Sequence, residues 1–171
     1  MVSRVLKLLC VFFSVLTVIL CGCGKTAADK KEICADFQGN FCADYRGMTV
    51  DGTIVNTRQG VCAIDITSPK TLSGLSLQFK SGETVLSRDG AKATADEAYL
   101  PSVSFPSVIR EALAEIAAGN YTADKSPNAF LLPLSCGECM LTVDENALPQ
   151  SMEIDSADCR VRFSGCEKLV G

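Results

Sequence analysis

The chain contains no histidine and no tryptophan, and only 6% of its 171 residues are aromatic. The missing imidazole removes the usual general base near neutral pH and the commonest metal ligand. No nucleophile elbow, P-loop or dinucleotide fingerprint occurs either. A catalytic role therefore has little to stand on, and the sequence reads as that of a non-enzyme. Basic residues are also scarce, 16 against 20 acidic ones. Such a balance is wrong for nucleic acid, whose phosphates demand a basic face. Nothing reads as an internal repeat, a low-complexity segment or a second-domain boundary.

The most specific stretch lies near the start. Arg4 and Lys7 precede an apolar run of 13 residues, Leu8 to Leu20, broken only by Ser14 and Thr17. A spanning helix needs about 20 apolar residues, and this run ends in small residues without a positive stop-transfer cluster. That is the form of a secretory signal. The end of the run, Leu20-Cys21-Gly22-Cys23, resembles the bacterial lipoprotein signal, or lipobox, with Leu20 at −3, Gly22 at −1 and Cys23 as the modified residue. The resemblance implies cleavage before Cys23 and a diacylglyceryl group on its thiol, with fatty acyl chains such as palmitate as the membrane contact. It implies no other cofactor. The expected organisation is a signal peptide over 1–22, a lipidated tether over 23–32 and a single domain over 33–171. The expected location is the outer face of the bacterial cell membrane, within the cell envelope. Arg4 and Lys7 leave with the leader and no acid does, so the mature balance becomes 14 basic against 20 acidic residues, a formal −6. No polybasic patch offers a second membrane contact.

Seven cysteines follow Cys23: Cys34, Cys42, Cys62, Cys136, Cys139, Cys159 and Cys166. An odd number cannot all pair internally. They are scattered through apolar strand patterns, where a free thiol behaves as a small hydrophobe.

From Ile33 onward the pattern has period two, the mark of half-buried antiparallel strands. In "CADFQGNFCADYRG" the residues Ala35, Phe37, Phe41, Ala43 and Tyr45 share one face. "TLSGLSLQF" places Leu75, Leu77 and Phe79 together. Asp89-Gly90 is a two-residue hairpin signal. The period then changes. "SFPSVIREALAEIAAGN" sets Phe105, Val108, Ile109, Ala112, Leu113 and Ile116 on one stripe. It predicts a helix over about 104–118, with Ser104 as N-cap, Pro106 in the first turn and Gly119 as terminator. "YTADKSPN" reads as a loop. Four further strands are expected at about 129–136, 139–144, 149–155 and 159–164. The fold class is α+β, mainly β: about ten antiparallel strands with one helix between the sixth and seventh.

Cys136-x-x-Cys139 allows three readings. A redox motif needs a helix after the first cysteine, and a strand follows. A zinc site needs a second ligand pair, and none exists. A hairpin turning on Gly137-Glu138 places Cys136 opposite Cys139, at a spacing that allows a disulfide. In that register Leu132, Leu134, Leu141 and Val143 share a face. Pro133 should then lie near the sheet's rim.

The stretch "VCAIDITSPKTLSGLSLQFKSGETVLSRDG", with Pro69, Leu72 and Gly74, resembles the strand–Pro–x–x–Leu–x–Gly–strand unit of lipoprotein-carrier-like proteins of the LolA/LolB type. "CMLTVDENALPQSMEID", with Pro149 after the turn, is similar to the later hairpin of that family. The resemblance implies a sheet curled into a half-barrel, with the helix on its concave side and an apolar groove for a lipid or an acylated ligand. Phe37, Phe41, Leu75, Leu77, Phe79, Phe105, Ile109 and Leu113 would line that groove, or else meet one another as a dry core. The family's N-terminal amphipathic helix has no evident counterpart in the polar stretch "GKTAADKKE". The expected function is thus a membrane-anchored exported lipoprotein that binds a hydrophobic ligand without catalysis. The alternative is an envelope structural or protein-interaction lipoprotein with a closed core and a protein partner.

Overall fold

The computed structural model describes residues 32–170. The lipobox and Cys23, the signal over 1–22 and nearly all of the tether lie outside the described residues. Eleven strands form one antiparallel sheet: β1 (Phe37–Tyr45), β2 (Met48–Asn56), β3 (Cys62–Ser68), β4 (Ser76–Lys80), β5 (Glu83–Arg88), β6 (Ala91–Asp96), β7 (Thr122–Ala123), β8 (Ala129–Leu134), β9 (Gly137–Val143), β10 (Pro149–Ile154) and β11 (Cys159–Lys168). Among the described residues one α-helix, α1 (Phe105–Ala118), joins β6 to β7. The sheet order is β6-β5-β4-β3-β2-β1-β11-β10-β9-β8-β7, so the sheet is open, with β6 and β7 at its edges.

Alternation along each strand decides which face is buried. Phe37, Phe41 and Ala43 of β1 turn inward with Val50 and Ile54 of β2 and with Val161 and Phe163 of β11. Cys62, Ile64 and Ile66 of β3 continue the face on one side, and Cys139, Leu141 and Val143 of β9 on the other. Against it lies the predicted stripe of α1: Phe105, Val108, Ile109, Ala112, Leu113 and Ile116 are all buried. The helix touches both β3 and β8, which are six strand steps apart in the sheet. On a flat sheet that is roughly 29 Å, whereas 14 helical residues are only about 21 Å long. The sheet therefore curls around the helix.

The helix ends follow the sequence closely. Pro106 sits in the first turn, and Gly119 adopts φ +73° and terminates the helix through its N–H to the carbonyls of Glu115 and Ile116. Ser104 occupies the N-cap position, but its hydroxyl lies 2.7 Å from that of Ser107 and caps no backbone N–H. Tyr45 ties the entry to the sheet, its hydroxyl donating to Val103 O at 2.8 Å.

Three expectations need correction. The stretch read as a loop contains β7, which pairs Thr122 with Leu131 and Ala123 with Phe130. The last strand runs on to Lys168 and pairs with β1 as far as Phe37. The β8–β9 hairpin turns at Ser135-Cys136, because Leu134 pairs with Gly137 and Leu132 with Cys139. Cys136 and Cys139 are therefore not opposite one another, and both are free thiols. The cause is a helix residue: Ser135 donates both its backbone N–H and its hydroxyl to the carboxylate of Glu111. The shift preserves parity, so Leu132, Leu134, Leu141 and Val143 still face inward and are buried. Pro133 lies beyond the two residues that pair with β7, so no neighbouring strand there needs the N–H it lacks.

Two positions in the sheet carry direct tests. Gly52 stands opposite Phe41 in β1 and Ile66 in β3. A β-carbon there would collide with Asp65 O and fall 2.8 Å from the Phe41 ring. Gly52→Val should destabilise the fold by about 1–3 kcal/mol, the usual cost of overpacking, read as a lower urea midpoint. Thr84 on β5 is fully buried and its hydroxyl has no hydrogen-bond partner. An orphaned buried hydroxyl is costly, so the near-isosteric Thr84→Val should raise stability by about 1 kcal/mol in the same measurement.

Candidate functional site

The eight residues expected to line a groove divide into two groups. Phe37, Phe41, Leu77, Phe79, Phe105, Ile109 and Leu113 are buried in one contiguous cluster. Their rings and branches meet each other: Phe41 and Phe105 lie 5.8 Å apart between centroids, and Phe37 meets Phe163 edge-on at 6.1 Å. Leu75, only half-buried, lines an open cavity instead.

That cavity lies past the reach of α1, at the β6 end of the sheet. It measures about 230 Å3 and is lined by Leu75, Leu86, Ser87, Arg88, Ala91, Lys92 and Ala93. Its position follows from the register. Ile64 pairs with Leu77, Leu77 with Leu86 and Leu86 with Ala93, so the buried inner row continues outward into half-buried Leu86 and exposed Ala93. Leu75 and Ala91 share that inner parity. The Arg88 guanidinium donates to Thr71 O at 2.8 Å, which holds a cation at the rim. Sequence patterning found Leu75 but missed Leu86, Ala91 and Ala93. The Asp89-Gly90 signal marks the hairpin that carries them; which part of the sheet the helix leaves uncovered is not encoded in the alternation of its strands.

A second cavity, about 380 Å3, opens between the helix and the turn that precedes it, and is lined by Glu97, Ala98, Leu100, Ser102, Ser107, Arg110, Glu111 and Ala114. Arg110 is mostly buried and faces Glu97 at 3.5 Å, and its Nε lacks a hydrogen-bond partner. Two carboxylates beside one guanidinium give this pocket no preference for an anion.

Cys62, Cys139 and Cys159 are fully buried thiols. Burial pushes the Cys62 and Cys139 thiols up to about 12, and Cys159 up to about 11. Cys62 lies near Arg110, which works against that shift without cancelling it. A nucleophilic or redox cysteine needs the opposite displacement. All seven cysteines in the described region are free. Among the described residues, no group of three or more His, Cys, Asp or Glu side chains could hold a metal ion. Also among the described residues, no helix is long and apolar enough to cross a membrane.

Two solved structures are similar to the chain over most of its length. The chain is similar to a LolA superfamily protein, NE2245, from Nitrosomonas europaea, with a TM-score of 0.42 and 10% identity over 82% of this chain and 88% of that one. It is also similar to a DUF1329 family protein from Desulfovibrio piger ATCC 29098, with a TM-score of 0.41 and 9% identity over 81% of this chain and 87% of that one. No family model and no curated protein sequence matches the chain.

The buried thiols set a pH dependence. Their folded values lie above the usual thiol range, so the folded state keeps protons that the unfolded chain releases. Stability is fully present below about pH 9 and is lost as pH rises toward 11 to 12, by up to about 1.4 kcal/mol per pH unit for each such thiol. Urea midpoints should therefore fall between pH 8 and pH 10.5. In native protein at pH 8, Cys62, Cys139 and Cys159 should resist a thiol-modifying reagent that labels them all in urea.

Proposed function

We propose that this protein is an exported lipoprotein, anchored through a diacylglyceryl group on Cys23, whose curled sheet binds a hydrophobic ligand without catalysis. The ligand site is the uncovered inner face at β4–β6 rather than the interface beneath α1. The observation that carries this reading is the cavity lined by Leu75, Leu86, Ala91 and Ala93, where the apolar face of the sheet runs on past its helical cover. At about 230 Å3 it is smaller than the usual ligand pocket of roughly 300–1,000 Å3. It suits one acyl segment or one apolar side chain rather than a whole lipid. Arg88 and Lys92 at the rim favour a ligand whose polar end is anionic. Burial of an acyl segment contributes ~25 cal/mol for each Å2 removed from water.

A second reading is an envelope structural or partner-binding lipoprotein. The observation favouring it is the burial of seven of the eight expected groove residues within one core.

Native mass spectrometry of the full chain, released from its host membrane in mild detergent, separates the two. Co-purifying lipid or acylated peptide is expected, and Leu86→Glu should lower its occupancy at least tenfold while leaving the unfolding midpoint within about 1 kcal/mol. Protein that is ligand-free at every detergent concentration supports the second reading. Cys23→Ser should move the protein from the membrane to the soluble fraction, measured by fractionation and immunoblot.

A further inference from the structure

β6 is the sheet's long free edge, and all six of its residues are exposed. The opposite edge is blunted, because β7 has only two residues. Exposed edges with unpaired backbone groups are templates for further pairing, so the chemistry of this edge is informative.

The phase of its backbone groups can be read from the hairpin. Asp89 and Gly90 both have positive φ, 51° and 83°, as a two-residue type I′ turn requires. Arg88 and Ala91 flank it and form a hydrogen-bonded pair, as do Leu86 with Ala93 and Thr84 with Ala95. The Glu97 N–H, which donates to Gly82 O at 2.8 Å, continues the same alternation. The N–H and C=O groups of Lys92, Thr94 and Asp96 therefore point away from β5, toward solvent.

The geometry points to a second copy of this chain as the occupant of this edge, paired antiparallel through a twofold axis at Thr94. In that register Thr94 meets its own copy, and Lys92 meets Asp96 of the other protomer twice over. All three outward-pointing residues find hydrogen-bonded partners, and both ion pairs are complementary. The inner face gains two Ala93–Ala95 pairs, which join the apolar faces of the two protomers. Other in-phase registers are worse. Sliding to set Lys92 opposite its own copy, or Asp96 opposite its own, places like charges in contact. Each intermediate slide leaves one of the two charges facing Thr94 and the other beyond the end of the partner strand. Asp96 Oδ1 already accepts from Ala98 N at 2.8 Å, which fixes the carboxylate and leaves Oδ2 for lysine. A contact of this length is small beside a standard interface, so the dimer is concentration-dependent. Lys92 and Ala93 also line the cavity beside this edge, so the dimer and a ligand there would share residues.

The test has two arms, both on the full chain. In membranes under mild oxidant, Thr94→Cys should give a covalent homodimer on a non-reducing gel. Lys92→Cys should not, since four residue steps place it about 14 Å from its copy, and neither should the unsubstituted chain. In detergent solution, sedimentation should show that Lys92→Glu and Asp96→Lys each weaken dimerisation about tenfold. Mixing these two variants should restore the dimer, because the mixed pair has lysine opposite a carboxylate at both sites. Monomer at every concentration of the unsubstituted chain overturns the proposal. So does a Thr94→Cys adduct with a different protein, or a mixture that stays monomeric.

Discussion

The contact between the apolar stripe of α1 and the concave side of the sheet is the interaction on which the rest of the molecule depends. Eleven strands carry an apolar inner face, and a single 14-residue helix is its main cover. Burial drives the sheet to wrap that helix, and the wrapping has a limit. Strands from β3 round to β8 are brought in. β4 to β6 continue outward, and their inner side chains shrink from Phe79 and Leu77 to Leu86 and then to Ala93 and Ala95. Where the cover stops, an apolar surface remains, and the candidate site sits there. The helix is pinned at both ends of this arrangement, by Tyr45 to Val103 near its start and by Glu111 to Ser135 on the far side.

Much of this was legible in the sequence, because much of it is local. Period-two alternation in "CADFQGNFCADYRG" places Phe37, Phe41 and Ala43 inward without reference to any partner. Pro106 and Gly119 bound the helix by backbone preferences alone, and Asp89-Gly90 sets a turn by its own φ angles. The misread features are those decided elsewhere in the chain. The β8–β9 turn is set by Glu111, which lies 24 residues before Ser135. β7 exists because Leu131 and Phe130 offer it a partner. The end of β11 is fixed by pairing with β1, at the other end of the domain. The site was partly legible for the same reason. Leu75 belongs to a visible apolar pattern, whereas the exposure of Leu86 depends on how far the helix reaches.

The chemistry of the chain agrees with a binding surface built from apolar contacts. Thiols that a sequence reader could take for a redox or metal motif are placed as small hydrophobes, and burial holds three of them firmly protonated. Charged pairs such as Arg160 with Glu153, at 2.6 Å, lie on the outer face, where exposed ion pairs contribute about 0–1 kcal/mol.

The seam between β1 and β11 has a consequence for how the chain assembles. Each half of the sheet is a local meander: β1 to β6 pair in sequence order, and so do β7 to β11. The two halves of the sheet meet along the β1–β11 seam, where Phe41 pairs with Phe163 and Ala43 with Val161. Closing that seam brings together residues about 120 positions apart, the kind of distant pairing that slows folding. A chain emerging from its N-terminal end can form the first six strands early. It must then hold half of its concave face unsealed until the last ten-residue strand arrives. This order of assembly is a built-in delay. The molecule stays pliable until its final segment locks it.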